Sequence, residues 1–500
     1  MRSGRTGPAG PYGAGTGVNA ISGAIVDGGL DAHARTEPRD FRSLPVIRQS
    51  FFEPVEKTVA EFARLGDVPM ARLGLEWPFR VAFVRDPDLI EEVYRHPVVG
   101  VQKSPHILGR TRRLMREGTF ISSGFDRDWL HRRAMSGPPV LRADRLRALL
   151  PRIETLTADG LDRHLPAGTE VELARAVRRY VTDLTFRLFF SHDLGPGLDD
   201  VVAWTECLED EFQKTSPWWI PSPSNARYLS AARGFAAFAE RLVAERRASP
   251  PDRPDVLSPL YERDCPHLGR RYTDAEIRDE LFSVFFGASA MATPIVWVLN
   301  ALARDAALLR RVRDEVASAG ALDVRGVDAL PLLDAVIRET ARLYPTFWCS
   351  VRYTREAVAL AGHRFPAKTM FVLMRYLAHR HPAHWPEPEA FDVERFLDGS
   401  DADAHPASHF EYGRGPRVCV GRRVAPLTIK MTLARLLSDR TPVLGPAAVG
   451  APSVRFGFGT YPDRPIPLTF SAARSPAGVA TAADRPALAT AGHTATRRGG

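Results

Sequence analysis

The sequence predicts a mostly helical protein with small β-sheets. Helical apolar spacing recurs over 129–150, 151–165, 170–190, 228–247, 274–319, 329–344 and 421–437. Strand signals are short and sparse, at 350–360, 363–373 and 453–470. The stretch from Leu281 to Leu302 is apolar nearly all round, as expected of a helix running through a core rather than over a surface.

Composition fits one large soluble domain. The 500 residues are 44% hydrophobic and 25% charged, ordinary for a globular protein. Residues 1–40 and 472–500 are low in complexity and are expected to be disordered, leaving a single domain over 41–471 without a long linker. The four cysteines, Cys207, Cys265, Cys349 and Cys419, form no Cys-x-x-Cys pair, which argues against a disulfide framework or a structural zinc and fits a reducing cytoplasm. No uninterrupted apolar run reaches the roughly 18 residues of a membrane span, so no membrane anchor is expected. The net charge of +8 is carried mostly by arginine and matters through its clustering, not its total. No nucleic-acid partner is expected.

From the N-terminal side, Arg72–Leu75 and Arg80–Val84 read as strands, and Pro87 opens a helix with Asp88 in its first turn. Trp218 and Trp219, set between Pro217 and Pro221, mark a rigid connection between two helices that could cover a pocket. Thr273 and Glu276 have the spacing of a capping box at the start of the long apolar helix. Gly287 and Pro294 interrupt that helix. Pro294 has no N–H for the carbonyl of Ala290, so a kink is expected there. Glu339 and Arg342 share a helix face three residues apart and can pair, and Pro345 ends that helix.

The densest chemistry is at 409–423, HFEYGRGPRVCVGRR. Cys419 sits among glycines, which let backbone approach a ligand closely, and arginines, which with backbone N–H groups favour a thiolate. An anionic sulfur pressed against something flat or bulky is expected.

In order and spacing these motifs resemble the cytochrome P450 family over roughly residues 45–470. Glu339 and Arg342 match its Glu-x-x-Arg pair. Arg395 matches the arginine of its Pro-Glu-Arg-Phe segment, with Val393 in place of the proline. Gly413, Gly415, Arg417, Cys419 and Gly421 match the loop Phe-Gly-x-Gly-x-Arg-x-Cys-x-Gly, and Trp129 and Arg133 match Trp-x-x-x-Arg. The resemblance implies the P450 fold, with haem b between the broken helix at 287–294 and a loop supplying Cys419 as axial thiolate. It implies a buried network of Glu339, Arg342 and Arg395. It also implies propionate contacts from Trp129, Arg133, Arg352 and Arg417, since buried carboxylates call for always-charged donors. Phe286, Gly287, Ala290, Thr346, Phe347, Trp348, the turn to Ser350 and the 104–120 loop would line the pocket of a small-to-medium hydrophobic substrate. A secondary metabolite is expected. Arg132, Arg133, Arg422 and Arg423 would belong either to a docking face for a ferredoxin or flavodoxin or to an ordinary solvated surface.

Two departures stand out. Tyr412 occupies the position of the family's phenylalanine on the thiolate side. Its hydroxyl either acts near the sulfur or points away. On the other side, Trp297 and Leu302–Arg304 fix a register that puts Ser289 at the acidic position and Ala290 at the threonine position of the family's proton relay. Serine is a poor acid and alanine has no hydroxyl. Thr293 lies one turn on. Two readings follow. Either oxygen is activated with water or a substrate hydroxyl as relay, or an N–O or peroxide substrate is transferred, cyclised or rearranged without oxygen or reductase. A non-catalytic haem sensor is a third reading, separable by the absence of turnover.

Overall fold

The computed structural model describes residues 79–100, 102–103, 118–119, 128–136, 143–212 and 222–472 without 253, 266–267, 321–325, 328, 400–403 and 458, together with strands at 40–41 and 70–73 and residues 59 and 67. The stretches 1–39 and 473–500, most of the 104–120 loop and Trp218–Trp219 lie outside the described residues.

Helices dominate. They are α1 (Pro87–Arg95), α2 (Asp128–Ser136), α3 (Ala143–His164), α4 (Leu173–Phe189), α5 (Leu198–Phe212), α6 (Pro223–Ala248), α7 (Ser258–Glu262), α8 (Asp274–Ser289), α9 (Ala292–Arg304), α10 (Ala306–Ser318), α11 (Pro331–Leu343), α12 (Arg375–Ala378) and α13 (Val424–Asp439). The strands are β1 (Asp40–Phe41), β2 (Met70–Leu73), β3 (Phe79–Val84), β4 (Glu170–Glu172), β5 (Ser350–Tyr353), β6 (Val358–Leu360), β7 (His363–Phe365), β8 (Thr369–Leu373), β9 (Arg440–Leu444), β10 (Val454–Phe456), β11 (Thr460–Pro462) and β12 (Pro467–Ala472). Among the described residues these make a five-stranded sheet ordered β1-β2-β3-β8-β5, a three-stranded sheet β4-β12-β9 and the pairs β6-β7 and β10-β11. The first strand of the expected pair is Met70–Leu73, two residues earlier than its sequence pattern suggests.

Local chemistry explains the elements that frame the site. Asp86 caps α1 by accepting from Leu89 N–H at 2.8 Å, and Pro87 occupies its first turn. The capping box of α8 is complete: Thr273 Oγ1 accepts from Glu276 N–H, and Glu276 returns a carboxylate oxygen to Thr273 N–H at 2.8 Å. α8 stops at Ser289, and α9 starts at Ala292 with Pro294 in its first turn. Met291 N–H closes a tight turn on the Ala288 carbonyl at 3.0 Å. The break falls where Pro294 withholds an N–H from Ala290.

Taken across that break, 274–304 is long and apolar enough to cross a membrane, which corrects the expectation that no such run exists. Most of it is buried inside the protein, so its hydrophobicity is satisfied by packing. Its neighbours in the main core include Tyr180, Phe186 and Phe235, and Phe285 stacks on Phe235 at 5.3 Å. A second cluster joins α1 to the large sheet through Leu89, Val93, Tyr94, Phe371 and Phe410.

α5 is absent from the helices expected from sequence. Its buried Leu198, Val201, Val202 and Leu208 do follow a helical repeat, but a shorter one than the helices around it.

Candidate active site

The loop carrying Cys419 is shaped by close backbone approaches. Gly415 has φ +68°, and a Cβ there would lie 2.2 Å from the Tyr94 carbonyl oxygen of α1. Only glycine fits both demands. Gly413 also has φ +67°, with Tyr94 Oη 4.0 Å from where a Cβ would stand. Arg414 ties the loop to α1 through Glu91 at 2.5 Å. Gly415→Ala should therefore cost more than about 1 kcal/mol and lower cofactor content. Absorbance per chain and a melting curve check this, and wild-type values for both would show that the contact is dispensable.

Cys419 is accessible yet set deep among protein groups. Its N–H donates to the Tyr412 carbonyl at 2.8 Å, and its Sγ accepts from Gly421 N–H at 3.2 Å. Burial pushes the thiol up, while the Gly421 N–H and the charges of Arg133 and Arg375 pull the other way. The loop arginines do less for the sulfur than their density suggests. Arg414 is engaged by Glu91, the Arg417 guanidinium lies 4.5 Å from the Trp129 ring centroid, and Arg422 approaches the Cys419 carbonyl at 3.5 Å.

A set of cations stands around the loop and its contacts on α1. Arg133 of α2 donates to the Val418 carbonyl at 2.5 Å. Arg352 of β5 donates to the Gly100 carbonyl at 2.9 Å and lies 4.9 Å from the Tyr94 ring centroid. Lys103 lies close enough to Arg417 and Arg352 that burial, then their repulsion, holds its ammonium well below the ordinary lysine range. Lys103 and the buried Arg375, whose guanidinium lies 5.0 Å from the Phe410 ring centroid, are not among the expected site residues. No motif marks either one. Only the fold brings Lys103 beside Arg352 and Arg417, and Arg375 beside Arg352 and Cys419.

The broken helix exposes backbone just before its break. Gly287 is exposed although Phe285, Phe286 and Ser289 around it are buried, and among the described residues a Cβ on it would meet nothing within 4 Å. Ser289 donates its hydroxyl to the Phe286 carbonyl at 3.0 Å. Thr293 turns its hydroxyl toward the β10–β11 turn, 3.2 Å from where a Gly459 Cβ would stand. Phe286 is buried, parallel to Phe282 at 4.8 Å. The Thr346 carbonyl faces Gly459, the Phe347 carbonyl accepts from Arg375 at 3.0 Å, and Trp348 donates to the Gly457 carbonyl at 3.2 Å.

Glu339, Arg342 and Arg395 stand together in the fold. Arg342 forks onto Glu339 at 2.7 and 2.8 Å and donates to the carbonyls of His379, Pro388 and Ala390. Arg395 approaches Glu339 at 3.7 Å. Arg132 departs from a place on a basic surface: it is buried and pairs with Glu280 at 3.4 Å. Its neighbour Arg133 faces the opposite way, toward the loop.

A family model described as Cytochrome P450 matches residues 46–439. The chain belongs to the cytochrome P450 family. This P450 is similar to the cyclooctat-9-en-7-ol 5-monooxygenase of Streptomyces melanosporofaciens, 24% identical over 75% of this chain and 82% of the relative. It is 36% identical to the tabersonine 6,7-epoxidase isoform 1 of Catharanthus roseus, over 33% of this chain and 34% of that one. In fold it resembles a mutant cytochrome P450DA heme domain, with a TM-score of 0.71 at 19% identity, covering 86% of this chain and 93% of the other. It is thus an enzyme of the P450 oxidoreductase type, and its family implies haem iron with a thiolate ligand. The residues present fit that group: an accessible cysteine on a glycine-shaped loop, exposed backbone at Gly287, and cations at Arg133, Arg352, Arg417 and Lys103 suited to two carboxylates.

Proposed function

We propose that this P450 oxidises a small-to-medium hydrophobic secondary metabolite, drawing electrons from a ferredoxin or flavodoxin, and does so without the family's usual acid–alcohol relay. Bound haem b would supply the activation of oxygen. The chain's own residues hold and shape. Cys419 would be the axial ligand, and Arg133, Arg352, Arg417, Trp129 and Lys103 would hold the propionates. Gly287 leaves room beside the ring. Phe286, Thr346, Phe347 and Trp348 would stiffen the walls, Trp348 from behind through its bond to Gly457. The relatives' names support this reading: a cyclooctat-9-en-7-ol monooxygenase, a tabersonine epoxidase and a sterol hydroxylase all denote oxidation of largely apolar polycyclic molecules. A cytoplasmic location fits.

The observation that carries the atypical relay is at Ser289 and Ala290. The Ser289 hydroxyl is engaged by the Phe286 carbonyl, and Ala290 has none to offer. Protons must then come through water or a hydroxyl of the substrate, with Thr293 available only if it turns from Gly459. The same positions support a second reading, in which an N–O or peroxide substrate rearranges with no external electrons. The test is turnover of a panel of terpenes, indole alkaloids and sterols, with and without ferredoxin and its reductase, in air and anaerobically. Product requiring both electrons and oxygen is expected. Product formed without either would replace oxidation by the second reading.

A further inference from the structure

The hairpin β10–β11 touches α9, the segment after α11, and α5. Its turn is pressed close to Thr293 and Thr346. A Cβ on Gly459 would stand 2.9 Å from the Thr346 carbonyl oxygen and 3.2 Å from Thr293 Oγ1. Trp297 donates its indole N–H to the Thr460 carbonyl at 3.1 Å, and Thr460 donates its hydroxyl to the Pro345 carbonyl at 3.0 Å. These contacts hold the turn to α9 and to the segment after α11.

The other side of the hairpin reaches α5. Tyr461 donates its hydroxyl to Glu209 Oε2 at 2.7 Å, and Arg178 of α4 donates to the same oxygen at 2.6 Å. The guanidiniums of Arg178 and Arg455 lie 5.2 and 5.5 Å from the Tyr461 ring centroid. Arg455 also pairs with Asp210 at 3.2 Å. Glu209 is buried, and burial together with this carboxylate keeps the Tyr461 phenol protonated far above neutral pH. α5 connects to the broken helix by a second route, a chain of rings from Trp204 through Phe238, Phe235 and Phe282 to Phe286, beside Gly287.

We infer that Tyr461 is a positioning residue for substrate selection: through Glu209 it ties the last turns of α5 to the hairpin whose turn touches Thr293 and Thr346. This rests on the reading of the Gly287 opening as the substrate pocket. With the tie in place, the position of α5 is set by the Tyr461–Glu209 hydrogen bond, not by the ligand. Long apolar ligands that need α5 to move must break that bond. Short ones need not.

The test uses the haem-loaded enzyme, Tyr461→Phe, Glu209→Gln and the double variant. Imidazole and 1-octylimidazole serve as iron-ligating probes, read by the shift of the haem absorption band. Imidazole affinity should stay at the wild-type value, while 1-octylimidazole affinity rises at least about five-fold in each single variant. The double variant should change no more than either single one. Without any ligand, amides of 205–212 should exchange at least about tenfold faster in Tyr461→Phe. Should one single variant fail to load haem, the other still decides. A wild-type ratio of the two affinities, an equal loss for both probes, or unchanged exchange would overturn the inference. Failure of imidazole to bind the wild-type protein would instead remove the pocket reading itself.

Discussion

Cys419→Ala is expected to give a folded chain with no thiolate-ligated haem and no turnover. Among the described residues the sulfur makes one polar contact, with Gly421 N–H at 3.2 Å, and its side chain is accessible. Its removal leaves no buried partner unsatisfied and little packing undone. Alanine also suits the loop, whose shape is set by Gly413, Gly415 and the backbone bond from Cys419 N–H to the Tyr412 carbonyl. The loss should therefore fall on the ligand alone. Absorption of the reduced, carbon monoxide-treated protein reads the thiolate, and melting of the haem-free variant against haem-free wild type reads the fold. The comparison must be haem-free on both sides, because a bound ligand itself stabilises the native state. A surviving thiolate signature would mean that another residue ligates the iron.

Glu339→Gln is expected to produce the largest loss of stability. Glu339 and Arg342 are both 0% exposed. The carboxylate receives two bonds from Arg342, one from Asp392 N–H at 2.8 Å and the approach of Arg395 at 3.7 Å. Glutamine keeps the shape but removes the charge and turns a donor toward Arg342. Breaking a buried pair from one side costs about 3–5 kcal/mol, since the remaining cation stays buried and uncompensated. That is a large part of the roughly 5–15 kcal/mol that holds a typical domain folded. Soluble haem-loaded yield should collapse, and the urea midpoint of what remains should fall sharply. A wild-type midpoint would show that the network does not brace the core. Arg342→Lys should do nearly as badly, because an ammonium cannot fork onto a carboxylate and reach three carbonyls at once.

What could be read from the sequence was what short spacing encodes. The Glu339–Arg342 pair spans one helical turn, and the Thr273–Glu276 box needs the same three residues. The helix break follows from the chemistry of Pro294 alone. The Cys419 loop was legible because glycines at fixed offsets leave few conformations. Less legible were residues whose role depends on distant partners. Lys103 has no motif, and only the fold sets it beside Arg352 and Arg417. Arg132 and Arg133 are adjacent in sequence yet diverge, one to buried Glu280 and the other to the Val418 carbonyl, because successive helix positions face different ways. Tyr461 and Glu209 are 252 positions apart, beyond any local pattern.

The bracing of the cysteine loop has a consequence for the order in which the molecule comes into being. Glu91 and Arg414 are separated by 323 positions, and Arg133 and the Val418 carbonyl by 285. At roughly 5–20 residues per second of synthesis, α1 waits on the order of 15 to 60 s before its partner loop exists. Through that interval Tyr94 has no Gly415 to rest against, and Arg133 has neither sulfur nor loop. The chain is therefore born without the part that grips its cofactor. Capture of haem is an event of the nearly finished polypeptide, and the contacts that close around it are among those that span the most sequence.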